Sequence, residues 1–207
     1  MPNYCNYSMR IVGRQEDVDQ FIKELKTDYS YDDYGCSEIE EGLRHFCRVF
    51  HTDVIYNEPI KFKINENCCV MLRDVTISGD CAWSVEGCMT KHGYYSQLKD
   101  KYGNRSKATT LKLESKILNL IIEVYSEESG CCFSEHMLYV NGEEIIDDCI
   151  DYYETWEDED GNLLDDPIIE GGYGEWEFTS EYDESLAKVI FDKHGETPQY
   201  ILEGDEL

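Results

Sequence analysis

The alternation of apolar and polar residues divides the first 143 positions into short elements of two kinds. Tyr7 to Val12 is β-compatible and stops at Gly13. In the following EDVDQFIKELK, Val18, Phe21, Ile22 and Leu25 recur at the spacing of one helix face, so a strand followed by an amphipathic helix is predicted. TDYSYDDYGC reads as a loop, and Phe46 to Ile55 and Pro59 to Ile64 as strands or edges. Cys69 to Trp83 has the β-branched alternation of another strand, interrupted near Gly79. An insertion is predicted near residues 90–108. After it, Thr110 is placed to cap a helix whose Leu113, Ile117, Leu120 and Ile121 share a face. IIEVYSEESG and FSEHMLYV predict two more strands, the second reaching the hairpin signal Asn141-Gly142.

The resulting order, β-α-β-β-α-β-β, predicts an α+β domain of the split βαβ type over residues 1–143, an antiparallel sheet with two helices on one face. Residues 144–207 are expected to form a folded acidic α/β extension. In it, residues 144–157 can be drawn as a helix with Ile145, Cys149, Tyr153 and Trp156 on one side and Asp147, Asp151, Glu154 and Asp158 on the other; a strand is the competing reading. TWEDEDGNLL suggests a hairpin around Asp160-Gly161, and GEWEF a short strand. Ser180 and Asp183 have capping-box spacing ahead of a helical stripe of Tyr182, Leu186, Ile190 and Phe191.

Charge sharpens that division. Of 45 acidic and 18 basic residues, positions 1–122 hold 18 and 16, whereas positions 123–207 hold 27 acidic residues against only Lys188 and Lys193. Direct binding to DNA, RNA or anionic lipid is disfavoured by this balance, because phosphate recognition needs clustered Lys and Arg; a basic protein surface is the expected partner. The 13% aromatic content is that of a folding chain rather than an acidic disordered tail. Ten cysteines would suit a secreted disulfide scaffold, but MPNYCNYSMRIVG lacks the basic-then-apolar pattern of a signal peptide and no stretch reaches membrane-span length. Reduced thiols and a cytoplasmic setting in a bacterial host cell are therefore expected.

Three segments carry a resemblance. MPNYCNYSMRIVG is similar to the Met-Pro-Asn-Trp-Cys-x-Asn start of a ferredoxin-like family of unknown function borne by phages and plasmids. Ala82-Trp83-Ser84 and EESGCCFSEHMLYVNGEE, the latter similar to a Glu-x-Gly-x-x-Phe segment before an Asn-Gly turn, follow in the same order, so roughly residues 1–150 are covered. Tyr4 and Tyr7 depart from the family's Trp and Asn, and the prolines expected after Ser84 are absent. The resemblance implies a ferredoxin-like fold and a mobile-element origin, and transfers no catalytic residue.

Candidate chemistry is sparse. Cys88-x3-His92 and Cys132-x3-His136 share a spacing and can be combined into a four-ligand zinc site, but close Cys-x2-Cys pairs are missing and buried apolar thiols are the plainer reading. EDEDGNLLDD fails the calcium-loop register, since placing Gly161 sixth puts Trp156 first and Pro167 twelfth. No nucleophile elbow, phosphate loop or dinucleotide fingerprint is present, so neither a catalytic residue nor a cofactor is assigned. What remains is the acidic region itself. Asp147, Asp148, Asp151, Glu154, Trp156, Asp158, Glu175, Trp176, Glu177 and Glu181 are the expected partner-binding residues, with carboxylates imitating a nucleic acid and tryptophans as anchors. The expected function is non-enzymatic inhibition of a host defence nuclease, a CRISPR effector or a restriction enzyme. The alternative is an interaction module for some other basic protein.

Overall fold

The computed structural model describes residues 3–25, 31–32, 35–36, 44–46, 48–65, 68–90, 109–174 and 176–180. All but the first residue of the predicted insertion, and the helix predicted beyond Ser180, lie outside them. The elements are β1 (Tyr4–Gly13), α1 (Gln15–Leu25), the two-residue strands β2 (Tyr31–Asp32) and β3 (Gly35–Cys36), β4 (Val49–Tyr56), β5 (Ile60–Asn65) and β6 (Cys68–Ala82). A π-type turn at Glu86–Thr90, α2 (Leu111–Ile117), β7 (Ile121–Glu128), β8 (Phe133–Val140), β9 (Glu143–Glu157) and β10 (Leu163–Gly171) follow.

One eight-stranded sheet dominates, in the order β10-β9-β8-β7-β1-β6-β4, with β5 also on β6. All its ladders are antiparallel. β4 runs along β6 with Tyr56 opposite Val75, and β5 resumes with Ile60 opposite Leu72. The break between them contains Pro59, which has no N–H to give a ladder.

This arrangement corrects the expected fold class. The chain is mostly β, a large curled half-barrel, and not a ferredoxin-like α+β sheet with two helices and an α/β extension. The decisive segment is 144–157. Its apolar residues fall on odd and even positions alike, which fits a helix stripe only in part. Its β-branched and aromatic content, together with the preceding turn, favours a strand. Asn141 (φ 52°) and Gly142 (φ 84°) are both left-handed, as a two-residue hairpin turn of matching twist requires. That turn sets Val140 opposite Glu143 and draws the acidic stretch into the sheet as β9.

Residues 5, 7, 9 and 11 of β1 face one core. Cys5, Tyr7, Met9 and Ile11 pack with Val75 and Ile77 of β6, Ile122 and Val124 of β7, and Met137 and Tyr139 of β8. α1 covers them with Val18, Phe21, Ile22 and Leu25, the predicted stripe. α2 departs from prediction. Thr110 does cap it, accepting from Leu113 N at 3.1 Å. Its buried residues, however, are Leu111, Glu114 and Ser115, while Ile117 is 45% exposed. The helix stops at Leu118 because Asn119 turns left-handed (φ 50°), and Leu120 and Ile121 lead into β7. Glu114 tolerates burial because Arg44 reaches it at 2.6 Å and also Glu24 of α1 at 3.1 Å, one guanidinium joining the two helices.

The opposite face carries a smaller apolar cluster, Val12, Leu72, Ile121 and Leu138. Further along the strands this face becomes polar. β6 runs through Gly79 without interruption, against expectation, and the described residues of the strand predicted around Trp176, Gly174 and 176–178, join no ladder. They cross the polar face instead.

Candidate functional site

Two surfaces are candidates, the first built by the strands that follow Asn141-Gly142 and the second by β1, β7 and β8 with the segment that crosses them. The first is the β9–β10 hairpin. β9 pairs with β8 only as far as Asp151, and from Tyr152 onward with β10, so its second half reaches past β8. The hairpin closes at Asp158–Asn162, where Gly161 is left-handed (φ 80°). Asp158 is the closing residue: its Oδ1 accepts from Asp160 N at 3.0 Å and Asn162 N at 2.8 Å, and Oδ2 accepts from Asn162 Nδ2 at 2.9 Å. Those donors hold its carboxyl below the usual range.

Strand geometry redistributes the expected partner-binding residues. Successive side chains alternate, so Asp147 and Asp151 lie on one face of β9 and Asp148, Glu154 and Trp156 on the other. The single row of Asp147, Asp151, Glu154 and Asp158 that a helix would give is absent. Asp147, Asp148, Asp151 and Trp156 are exposed, and Glu154 is half-buried with its Oε2 accepting from Trp156 Nε1 at 3.3 Å. The hairpin also exposes Tyr153 (72%), Leu163 (81%) and Ile169 (55%). From 143 to 171 there is no Lys, Arg or His. Glu175 and Glu181 lie outside the described residues.

Trp176 and Glu177 sit elsewhere, on the second surface. Left-handed Gly171, Gly172 and Gly174 (φ 91°, 76° and 64°) turn the chain off β10 and over the polar side of β1, β7 and β8. There Trp176 stacks on Tyr125 at 5.4 Å, and Tyr125 stacks on His136 at 4.0 Å, each pair within 10° of parallel. Tyr125 and His136 are register partners on β7 and β8, which is why their rings meet. The Tyr125 hydroxyl donates to the Glu177 carbonyl at 3.3 Å. Glu177 thus contributes its backbone here, and its exposed side chain points to no described partner.

Glu123, two residues before Tyr125, is buried to 1% exposure. Its Oε1 accepts from His136 Nε2 and from the Thr179 hydroxyl, each at 2.9 Å, and its Oε2 from Thr179 N at 2.8 Å. Burial alone would push this carboxyl up, but the His136 and Thr179 hydrogen bonds outweigh it and hold it low. Arg10, opposite Glu123 on β1, donates to the Thr179 carbonyl at 3.3 Å and is paired with Asp74 at 2.8 Å. Asn57 completes the chain, donating to Asp74 at 3.1 Å and to Thr76 at 3.0 Å.

Of these residues the sequence marks out His136, as a candidate zinc ligand, and Trp176 and Glu177, as expected partner-binding residues. His136 meets the Glu123 carboxylate and the rings of Tyr125 and Tyr173, not a metal-ligand set. Cys132 lies at the start of β8 with left-handed backbone (φ 55°), and His92 is outside the described residues. Among the described residues no group of three His, Cys, Asp or Glu is placed to hold a metal ion. The signal that could have revealed Glu123 is a carboxylate inside the apolar run IIEVY, where a buried charge demands partners. Also among the described residues, no helix is long and apolar enough to cross a membrane. No family model matches the chain, and neither a curated protein nor a solved structure does.

Proposed function

We propose that the protein is a non-catalytic binding protein whose β9–β10 hairpin docks onto a basic protein surface, and that this surface is the nucleic-acid groove of a host defence nuclease. The observation that carries the reading is the hairpin's composition: exposed carboxylates and large apolar side chains with no cation between 143 and 171. Seven of the fifteen β9 residues are acidic. At about 3.3 Å rise per residue that is one carboxylate per roughly 7 Å along the strand, divided between its two faces, so each face alone is several-fold sparser than one DNA strand at about 3.4 Å per phosphate. β10 adds Asp165, Asp166 and Glu170 alongside. Tyr153 and Trp156 supply the amphipathic aromatics favoured at interface centres. A mobile-element origin, implied by the resemblance of the N-terminal segments, is in keeping with such an inhibitor.

The test is displacement of labelled duplex DNA or guide RNA from CRISPR effectors and restriction nucleases, with the whole chain as competitor. Displacement should be strong at about 50 mM salt and much weaker at about 200 mM. Asp147→Lys, Asp151→Lys and Glu154→Lys together should abolish it. Failure to displace nucleic acid from any enzyme at low salt sinks the nuclease reading. Displacement that ignores the triple substitution removes the hairpin from it.

A further inference from the structure

The segment crossing the polar face is bound there as a ligand would be. It pairs with no strand, and three of its anchoring hydrogen bonds are made by its main chain to side chains of the sheet. Tyr125 donates to the Glu177 carbonyl, Arg10 to the Thr179 carbonyl, and Glu123 accepts from Thr179 N. Main-chain recognition of that kind does not depend on which residue carries the backbone, so it serves any extended peptide. Side-chain selectivity comes chiefly from Trp176, on the Tyr125–His136 stack, and Thr179, whose hydroxyl meets Glu123, with the Tyr173 and Phe178 rings flanking Tyr125 at 6.0 and 5.8 Å. Left-handed Gly171 and Gly172, just before it, and Gly174, within it, turn the chain off β10 and onto this face.

We propose that the face formed by Arg10, Glu123, Tyr125 and His136 is a peptide-docking site, occupied by the chain's own 173–180 segment acting as a resident competitor. The partner it fits is an extended peptide with an aromatic residue and, three positions later, a Thr or Ser. Such a peptide reproduces each contact that Trp176 and Thr179 make, with its own backbone meeting Arg10, Glu123 and Tyr125. This surface is separate from the hairpin and does not depend on its reading.

The probe is a fluorescein-labelled peptide with the sequence of residues 173–180, titrated with the whole chain and followed by anisotropy. The resident segment should keep binding weak. A chain carrying Trp176→Ala and Thr179→Ala should bind the peptide at least about tenfold more tightly, because its own segment no longer competes. A control peptide with the same two alanines should not bind either chain. Adding Tyr125→Ala or Glu123→Gln to the opened chain should abolish binding, with circular dichroism and thermal melting confirming that each variant is folded. No binding by a folded opened chain overturns the proposal, as does binding insensitive to Tyr125 and Glu123. If one face substitution unfolds the chain, Arg10→Met provides a third removal of a main-chain contact, expected to weaken binding several-fold.

Discussion

Glu123 takes the amide and the hydroxyl of Thr179 on its two oxygens, so residues 56 positions apart close like a short capping motif. A carboxylate receiving two donors from one residue fixes both the position and the rotation of that residue. Replacing Glu123 with Gln keeps the shape but presents an amide N–H₂ where an acceptor was needed. Glu123→Gln should lower stability by about 1–3 kcal/mol, the usual effect of leaving buried donors unmet. Denaturant melts at neutral pH would measure it, and Trp176 emission would change in the native baseline as the Tyr125 stack loosens.

A second prediction concerns Arg44, which bridges Glu114 and Glu24 from two helices. Removing the guanidinium leaves two buried carboxylates without their cation. Arg44→Met should destabilise by about 3–5 kcal/mol. Restoring Glu24→Gln and Glu114→Gln in the same chain should recover much of the loss. If the single variant melts within about 0.5 kcal/mol of the parent by chemical denaturation, the guanidinium is not the link between the helices.

His45 gives a pH dependence with a definite sign. Burial lowers its pKa from 6.5 to about 4. The unfolded chain therefore binds a proton that the folded chain refuses between those values. Stability from this group is full above about pH 6.5 and is lost as the pH falls toward 4, by an amount on the order of 3 kcal/mol. Glu24 acts oppositely: burial raises its carboxyl to about 6, and its contribution is present below about 4.5 and lost as the pH rises through 6. His45→Gln should flatten the acid limb of a stability-against-pH curve, and Glu24→Gln should flatten the opposite slope between about pH 4.5 and 6.

Gly142 offers a local test of the turn that admits β9 to the sheet. A Cβ there would come within 2.6 Å of Lys116 Cβ, and its φ of 84° disfavours any side chain. Gly142→Ala should destabilise by about 1–2 kcal/mol, whereas Gly161→Ala, which meets nothing within 4 Å, suffers only the backbone strain of its own left-handed turn. Paired thermal melts would rank them.

The local parts of the fold were legible in the sequence. α1 follows from Val18, Phe21, Ile22 and Leu25, the α2 cap from Thr110, and the β8–β9 turn from Asn141-Gly142, because each signal lies within a few residues. α2's length was misread because Leu120 and Ile121 continue the helical spacing into the first residues of β7, and only Asn119's left-handed backbone separates the two. β9 admitted both readings until its ladder with β8 decided between them. The polar face was not legible at all. Arg10 and Glu123, on two neighbouring strands, meet Thr179 from beyond three left-handed glycines, and no spacing along the chain records that meeting. The concentration of acidic residues after position 122 is plain in the sequence, yet their distribution over two faces depends on the period of a strand rather than a helix.

The sheet's strand order has a consequence for how the molecule meets others. β4 and β10 are its terminal strands, separated by six strand spacings, about 29 Å along the curl at 4.8 Å each. The almost neutral half of the chain supplies one margin and the cation-free hairpin the other. A positively charged body that approaches the β10 margin meets carboxylates with no cation from 143 to 171 to oppose it, whereas one that approaches the β4 margin meets no such stretch.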